Sequence, residues 1–230
     1  MAGIRDIEAV VFDVLGTLVD EPGGLRAAIR DAVPGCEDVS VDELTTSWQR
    51  YVALEQGRVA RGRRAYATSE TIDAEAARRV ADRAGLADPD GISWLATAGQ
   101  RLPPWEDSVS GLDRLARTLP VIGLSNASRT ALLRLSAHAG LRWHQALSGE
   151  SVLAYKPAPE LYELAIATAG HSPERVLMVA AHAWDLRGAR TRGMRTAYVR
   201  RPDGDPPTGS DSFDWCFEGL DELVTALAAR

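Results

Sequence analysis

Short runs of apolar residues recur along the chain, each closed by small or polar residues. Ala9-Val10-Val11-Phe12 ends at Asp13, Val121-Ile122-Gly123-Leu124 ends at Ser125-Asn126, and Val176-Leu177-Met178-Val179 ends in Ala180-Ala181-His182. A continuous apolar run, unlike an alternating one, predicts a central parallel strand covered on both faces. A fourth strand is expected at Thr196 to Val199. Helical spacing fills the intervals, at Ser128 to Ala139, Pro159 to Ala169 and Trp184 to Arg192. A short helix running to about Thr118 is stopped at Leu119-Pro120, because Pro disfavours helix in the residue before it. Strand, polar turn and helix in repetition predict an α/β fold with a parallel sheet.

The stretch from about Gly23 to Leu102 breaks this rhythm. Leu44, Trp48, Tyr51 and Val52 recur at helical spacing and strand-like runs are missing, so three or four helices are expected there. Residues 21–102 therefore read as a helical cap inserted after the first strand, and residues 1–20 with 103–230 as the α/β core. Arg101 to Asp107, rich in Pro and acid, is the expected return linker. Pro202 to Ser212 is the expected exposed loop before a last helix near Leu220 to Ala229.

Composition narrows the setting more than the chemistry. The 230 residues are 45% hydrophobic and 25% charged, ordinary values for a globular chain, and the net charge of −6 argues against a nucleic-acid partner. No apolar run is long enough for a membrane span, and Met1 to Asp6 does not resemble a signal peptide. Cys36 and Cys216 stand far apart without a metal-binding pattern, so neither a disulfide framework nor a zinc site is expected. A cytoplasmic protein with a small-molecule partner is the expectation.

Ligands of a parallel sheet bind beyond the carboxyl ends of its strands. Asp13, Ser125-Asn126, the turn holding Lys156, and His182 with Asp185 would all reach that edge. Singly, each has a plainer account: a turn or helix cap for Asp13, an N-cap for Ser125-Asn126 or equally Ser128, a loop dipeptide for Lys156-Pro157, and a macrodipole partner for Asp185. Their common placement, in one order along the chain, favours a shared site.

Phe12 to Asp20, Leu124 to Ser128, Tyr155-Lys156-Pro157-Ala158-Pro159 with Leu161-Tyr162, and Val179 to Asp185 resemble, in order, the four motifs of the haloacid dehalogenase superfamily. That resemblance implies a Rossmann-like core with an inserted cap. The superfamily's magnesium-dependent phosphatases carry an acid two residues beyond the nucleophile and a metal-binding carboxylate in the fourth motif. Leu15 and the pair Ala180-Ala181 stand there instead. Tyr155-Lys156-Pro157, Tyr162-Glu163-Leu164-Ala165 and Ala183-Trp184-Asp185 resemble the L-2-haloacid dehalogenases, which use neither a metal nor a cofactor.

The resemblance implies covalent catalysis, in which Asp13 attacks the α-carbon of a short 2-haloacid and water hydrolyses the resulting ester. Lys156 is expected to pair with Asp13, and Asp185 to hold Lys156 and help position water. Thr17, Ser125 and Asn126 are expected to donate to Asp13 or to the substrate carboxylate, and Tyr162 either points at this cluster or packs in the core. The dehalogenase pattern has Tyr, Ser, Asn and a halide-receiving cap Arg where this chain has Leu15, Ala180, His182 and Gln49. His182 is expected to act in place of the Asn, and Arg50 or Arg58 to substitute for the Arg. Trp48 and Trp105 are candidates for the pocket wall, and the run Arg58, Arg61, Arg63, Arg64 is read as a solvated helix face. Three other readings stand beside this one: the same attack on another activated carbon, a residual phosphatase, and a binding module without activity. Relatives are often homodimers, which makes that assembly an expectation as well.

Overall fold

The computed structural model describes residues 3–35 and 37–228. The parallel sheet has six strands in the order β3-β2-β1-β4-β5-β6. These are β1 (Ala9–Asp13), β2 (Val121–Ser125), β3 (Gln145–Ser148), β4 (Val176–Ala180), β5 (Arg195–Val199) and β6 (Trp215–Phe217). The three predicted apolar runs form β1, β2 and β4, buried at every position because helices cover both faces of the sheet. Val11 of β1 pairs with Ile122 on one side and Met178 on the other. Successive connections thus leave β1 in opposite directions, which opens a crevice at its carboxyl end. Asp13 is the last residue of that strand.

Two strands had no apolar signature. β3 and β6 lie at the sheet edges, run for only four and three residues, and are half exposed. Asp214 holds β6 in place by accepting from the backbone N–H and hydroxyl of Thr196 on β5, at 2.9 and 3.0 Å.

Before β2, residues 21–96 fold into α1 (Glu21–Ala32), α2 (Asp38–Ala60), α3 (Ser69–Ala84) and α4 (Pro89–Ala96). Asp20, Thr68 and Asp88 cap α1, α3 and α4, each accepting from backbone N–H groups that the first turn leaves free. These helices bury a hydrophobic cluster of their own, with Ile29, Leu44, Trp48, Val80 and Leu95 at its centre. The two clusters flanking the sheet are separate from it. The chain enters and leaves this helical unit along one seam, where Asp20 N donates to Pro103 O at 2.8 Å and Trp105 N to Leu18 O at 3.1 Å.

The remaining helices are α5 (Ser108–Leu115), α6 (Arg129–Ala139), α7 (Pro159–Ala169), α8 (Ala183–Arg190) and α9 (Leu220–Ala228). α7 has the expected bounds, and α6 begins behind Ser128, whose hydroxyl accepts from Ala131 N at 3.1 Å. Ser128, not Ser125-Asn126, is therefore the cap there. Among the described residues no helix is long and apolar enough to cross a membrane. Cys216 is free and exposed, and Cys36 lies outside the described residues.

Candidate active site

Asp13 sits in a cluster of buried charge. Its Oδ1 accepts from Lys156 Nζ at 2.8 Å, and the same ammonium donates to Asp185 Oδ2 at 2.8 Å. The Lys156 side chain is 1% exposed and that of Asp185 is 0% exposed, so solvent screens neither. One ammonium between two carboxylates supplies the bridging cation that such a pair requires. Tyr162, fully buried on α7, donates to Asp185 Oδ1 at 2.6 Å.

The other oxygen, Oδ2, accepts from the Thr17 hydroxyl at 2.7 Å and pairs with His182 Nδ1 at 3.0 Å. Thr17 Oγ1 in turn accepts from Ala181 N at 2.9 Å. Gly16 makes this contact possible. Its φ is +75°, and a Cβ there would fall 2.6 Å from His182 Cε1, so any larger residue would displace the imidazole.

These neighbours set the charge states. Burial alone would push the Asp13 carboxyl up, but Lys156 and His182 outweigh it and hold the group well below the usual carboxylate range. Burial likewise opposes the charge on His182, and the bond to Asp13 with the nearby carboxylates of Glu21 and Asp185 raises its pKa above the ordinary value. Lys156 is raised too, its two carboxylates prevailing over burial. At neutral pH the site presents an ionised, oriented carboxylate.

A cleft of about 330 Å³ opens above Asp13. Its floor comprises Leu15, Ser125, Asn126, Lys156, His182 and Trp184, and its roof is Glu21 of α1 with Trp48, Gln49, Val52, Ala53 and Gln56 of α2. A smaller adjoining cavity shares several of these residues and adds Asp73. Burial, then the charges of Glu21 and Glu70, push the Asp73 carboxyl up to about 8.

Several expected residues stand elsewhere. Arg50 lies on another face of α2, in a groove with Asp42, Glu43, Arg79 and Arg83. Arg58 donates to Glu55 and lines no part of the cleft. Arg64 is no solvated residue, being bonded to Glu55 at 2.7 Å and to Glu75 at 2.7 and 2.8 Å. Tyr162 reaches the site only through Asp185, behind the cleft wall. Asn126 does not donate to Asp13: its Oδ1 accepts from Lys156 N at 2.8 Å and its Nδ2 donates to Gln56 Oε1 at 3.2 Å. Ser125 Oγ accepts from Ala127 N at 3.1 Å. Trp48 lines the cleft, whereas Trp105 Nε1 donates to Gly16 O at 3.3 Å, under the seam.

Glu21 and Gln56 belong to none of the sequence motifs. Gln56 was legible, since Gln49, Val52, Ala53 and Gln56 share one face at helical spacing. Glu21 gave no such signal, being simply the first residue of α1 after its cap.

A parallel sheet covered on both faces thus presents one ionised, buried carboxylate beneath a helical roof. The haloacid dehalogenase-like hydrolase family matches residues 7–193. The chain belongs to this family. It is 31% identical over 202 residues to the (S)-2-haloacid dehalogenase H-109 of Pseudomonas putida, covering 86% of this chain and 88% of that one. It is 33% identical over 200 residues to the (S)-2-haloacid dehalogenase of Xanthobacter autotrophicus, covering 85% and 76%. Among solved structures, the L-2-haloacid dehalogenase PA0810 superposes with a TM-score of 0.87 at 29% identity, over 97% of this chain and 100% of that chain. The Xanthobacter autotrophicus L-2-haloacid dehalogenase with chloropropionic acid covalently bound superposes at 0.82, with 26% identity, over 96% and 98%. These comparisons set the chain in the L-2-haloacid dehalogenase branch.

Proposed function

We propose that this protein hydrolyses the carbon–halogen bond of a short 2-haloacid, with Asp13 as nucleophile. The Asp13 carboxylate forms a bond to the α-carbon as the bond to halogen breaks, and halide departs with the bonding pair. Water then cleaves the aspartyl ester, releasing a 2-hydroxy acid and restoring the carboxylate. Halide is a stable anion, so no acid need protonate it. The observation that carries this reading is the Asp13–Lys156–Asp185 ion cluster facing a cleft, in a chain similar to haloacid dehalogenases along most of its length.

Residues 21–102 act in this reading as a cap over a core of residues 1–20 and 103–230. Lys156 keeps Asp13 ionised and aimed, Asp185 and Tyr162 hold Lys156, and Thr17 fixes the carboxylate plane. Leu15, Trp48, Gln49 and Trp184 shape the space for the substrate. The phosphatase alternative is opposed by Leu15 and Ala181, which offer no proton and no metal-binding oxygen. The enzyme is proposed to work in the cytoplasm as a homodimer, an assembly that sedimentation of the purified protein tests.

The direct experiment is halide release from L- and D-2-chloropropionate and from chloroacetate, for wild type and Asp13→Asn, with a chelator present. Wild type should release halide from at least one of them, and the variant should be slower by about 10⁴-fold or more. Release unaffected by the substitution would overturn the assignment of the nucleophile.

A further inference from the structure

The two oxygens of Asp13 are not equivalent. Oδ1 accepts one hydrogen bond, from Lys156, and keeps a lone pair free. Oδ2 accepts two, from Thr17 and His182. The direction of both is settled by chemistry. The Ala181 N–H occupies a lone pair of the Thr17 hydroxyl, leaving its proton for Asp13, and an ionised carboxylate only accepts, so His182 Nδ1 carries a proton. Oδ1 is therefore the oxygen available to attack. Oδ2 becomes the carbonyl oxygen of the ester, with donors already at 2.7 and 3.0 Å, the distances an oxyanion site requires.

Across the cleft stands Glu21. It lines the same space as Asp13 and His182, and no hydrogen bond or salt bridge ties its carboxylate to any described residue. Resting on the carbon–halogen reading above, we propose that Glu21 and His182 carry the second step of the reaction. Water adds to Cγ of esterified Asp13 and gives its proton to Glu21, while the negative charge appearing on Oδ2 is received by the His182 imidazolium and the Thr17 hydroxyl. Collapse re-forms the Cγ–Oδ2 double bond and breaks the Cγ–Oδ1 bond. The alkoxide leaves with Oδ1 and takes the proton back from Glu21. The oxygen of the water stays in Asp13, and the second proton of that water passes to solvent as the carboxylate is restored.

The charges around His182 agree with this assignment. Asp13 of β1, Glu21 of α1 and Asp185 of α8 all favour the imidazolium, Lys156 lies beyond Asp13, and Asp205 is turned to Trp184 N. Burial raises the pKa of Glu21, with His182 opposing, which moves a carboxylate toward the range useful to a base. Turnover should therefore be bell-shaped in pH. It falls on the acid side as Glu21 is protonated and on the alkaline side as His182 loses its proton.

The test is rapid-quench turnover of 2-chloropropionate by wild type, Glu21→Gln and His182→Phe, following halide and the intact mass of the protein. Each variant should release one equivalent of halide quickly, then turn over about 100-fold more slowly with the ester accumulated. Glu21→Gln should lose the acid limb of the kcat profile and His182→Phe the alkaline limb, shifts that a purely structural role would not produce. Halide bursts slowed as much as turnover, with no ester, would overturn the proposal while leaving the carbon–halogen reading intact. So would unchanged limbs. If His182→Phe does not fold, the acid limb of Glu21→Gln decides alone. Wild type that releases no halide would instead sink the substrate reading, and this assignment with it.

Discussion

The floor and the roof of the cleft are built on opposite plans. On the floor every charge is matched: Lys156 bridges two carboxylates, Tyr162 braces one of them, and Thr17 and His182 hold the other. The roof offers Trp48, Gln49, Val52, Ala53 and Gln56, with Glu21 as its ionisable group. The floor is a closed network of ion pairs and hydrogen bonds, while the roof brings mostly uncharged side chains to the cleft. In the proposed reading the floor carries the chemistry and the roof sets selectivity. No cation of the cap faces the nucleophile among the described residues, so the family's halide-receiving Arg has no counterpart in position here.

Breaking the floor should have the largest effect. Lys156→Met leaves two buried carboxylates facing each other, so activity should fall by about 10³-fold or more, and stability by about 3–5 kcal/mol in denaturant melts. Restoring a cation to the roof is the complementary change. Gln49→Arg should lower KM for 2-chloropropionate by about 10-fold with a smaller effect on kcat, read from halide-release kinetics. Tyr162→Phe removes one brace from Asp185 and should cost about 1–2 kcal/mol of stability and about 10-fold in kcat.

Asp73 tests the roof by pH. Its folded pKa of about 8 lies above the 3.8 of an unperturbed Asp. Folding therefore favours its protonated form, and a destabilisation develops as pH rises from about 4 and is complete above about 8. Asp73→Asn should leave stability unchanged near pH 4 and raise it by about 1–3 kcal/mol near pH 8, measured by thermal melting at both values. Arg50→Ala, on the outer face of α2, should change kcat/KM by less than about 2-fold.

What could be read from the sequence follows the same division. Lys156 lies in a turn well beyond β3 and is legible only through the Tyr155-Lys156-Pro157 motif. Asp13 ends one buried strand and Asp185 stands in the first turn of the helix after another, strands that announce themselves as unbroken apolar runs. β3 and β6 could not be found that way, because short edge strands bury too little to leave a run. Arg50 misled for a geometric reason. Adjacent helical residues are turned about 100° apart, so closeness in sequence to Gln49 does not place a side chain on its face. Glu21 was hidden because its role depends on how α1 meets the end of β1, which no local spacing encodes.

The seam at the base of the cap reaches further than its few hydrogen bonds suggest. Arg201 donates to Thr17 O at 2.9 Å and clamps Asp107, at the end of the return linker, at 2.7 and 3.0 Å. Thr17 therefore serves two masters, aiming Asp13 through its hydroxyl and anchoring the pivot through its carbonyl. A cap swinging on that pivot would tug the nucleophile's own loop. Any such movement would be passed to the nucleophile's carboxylate through a single threonine.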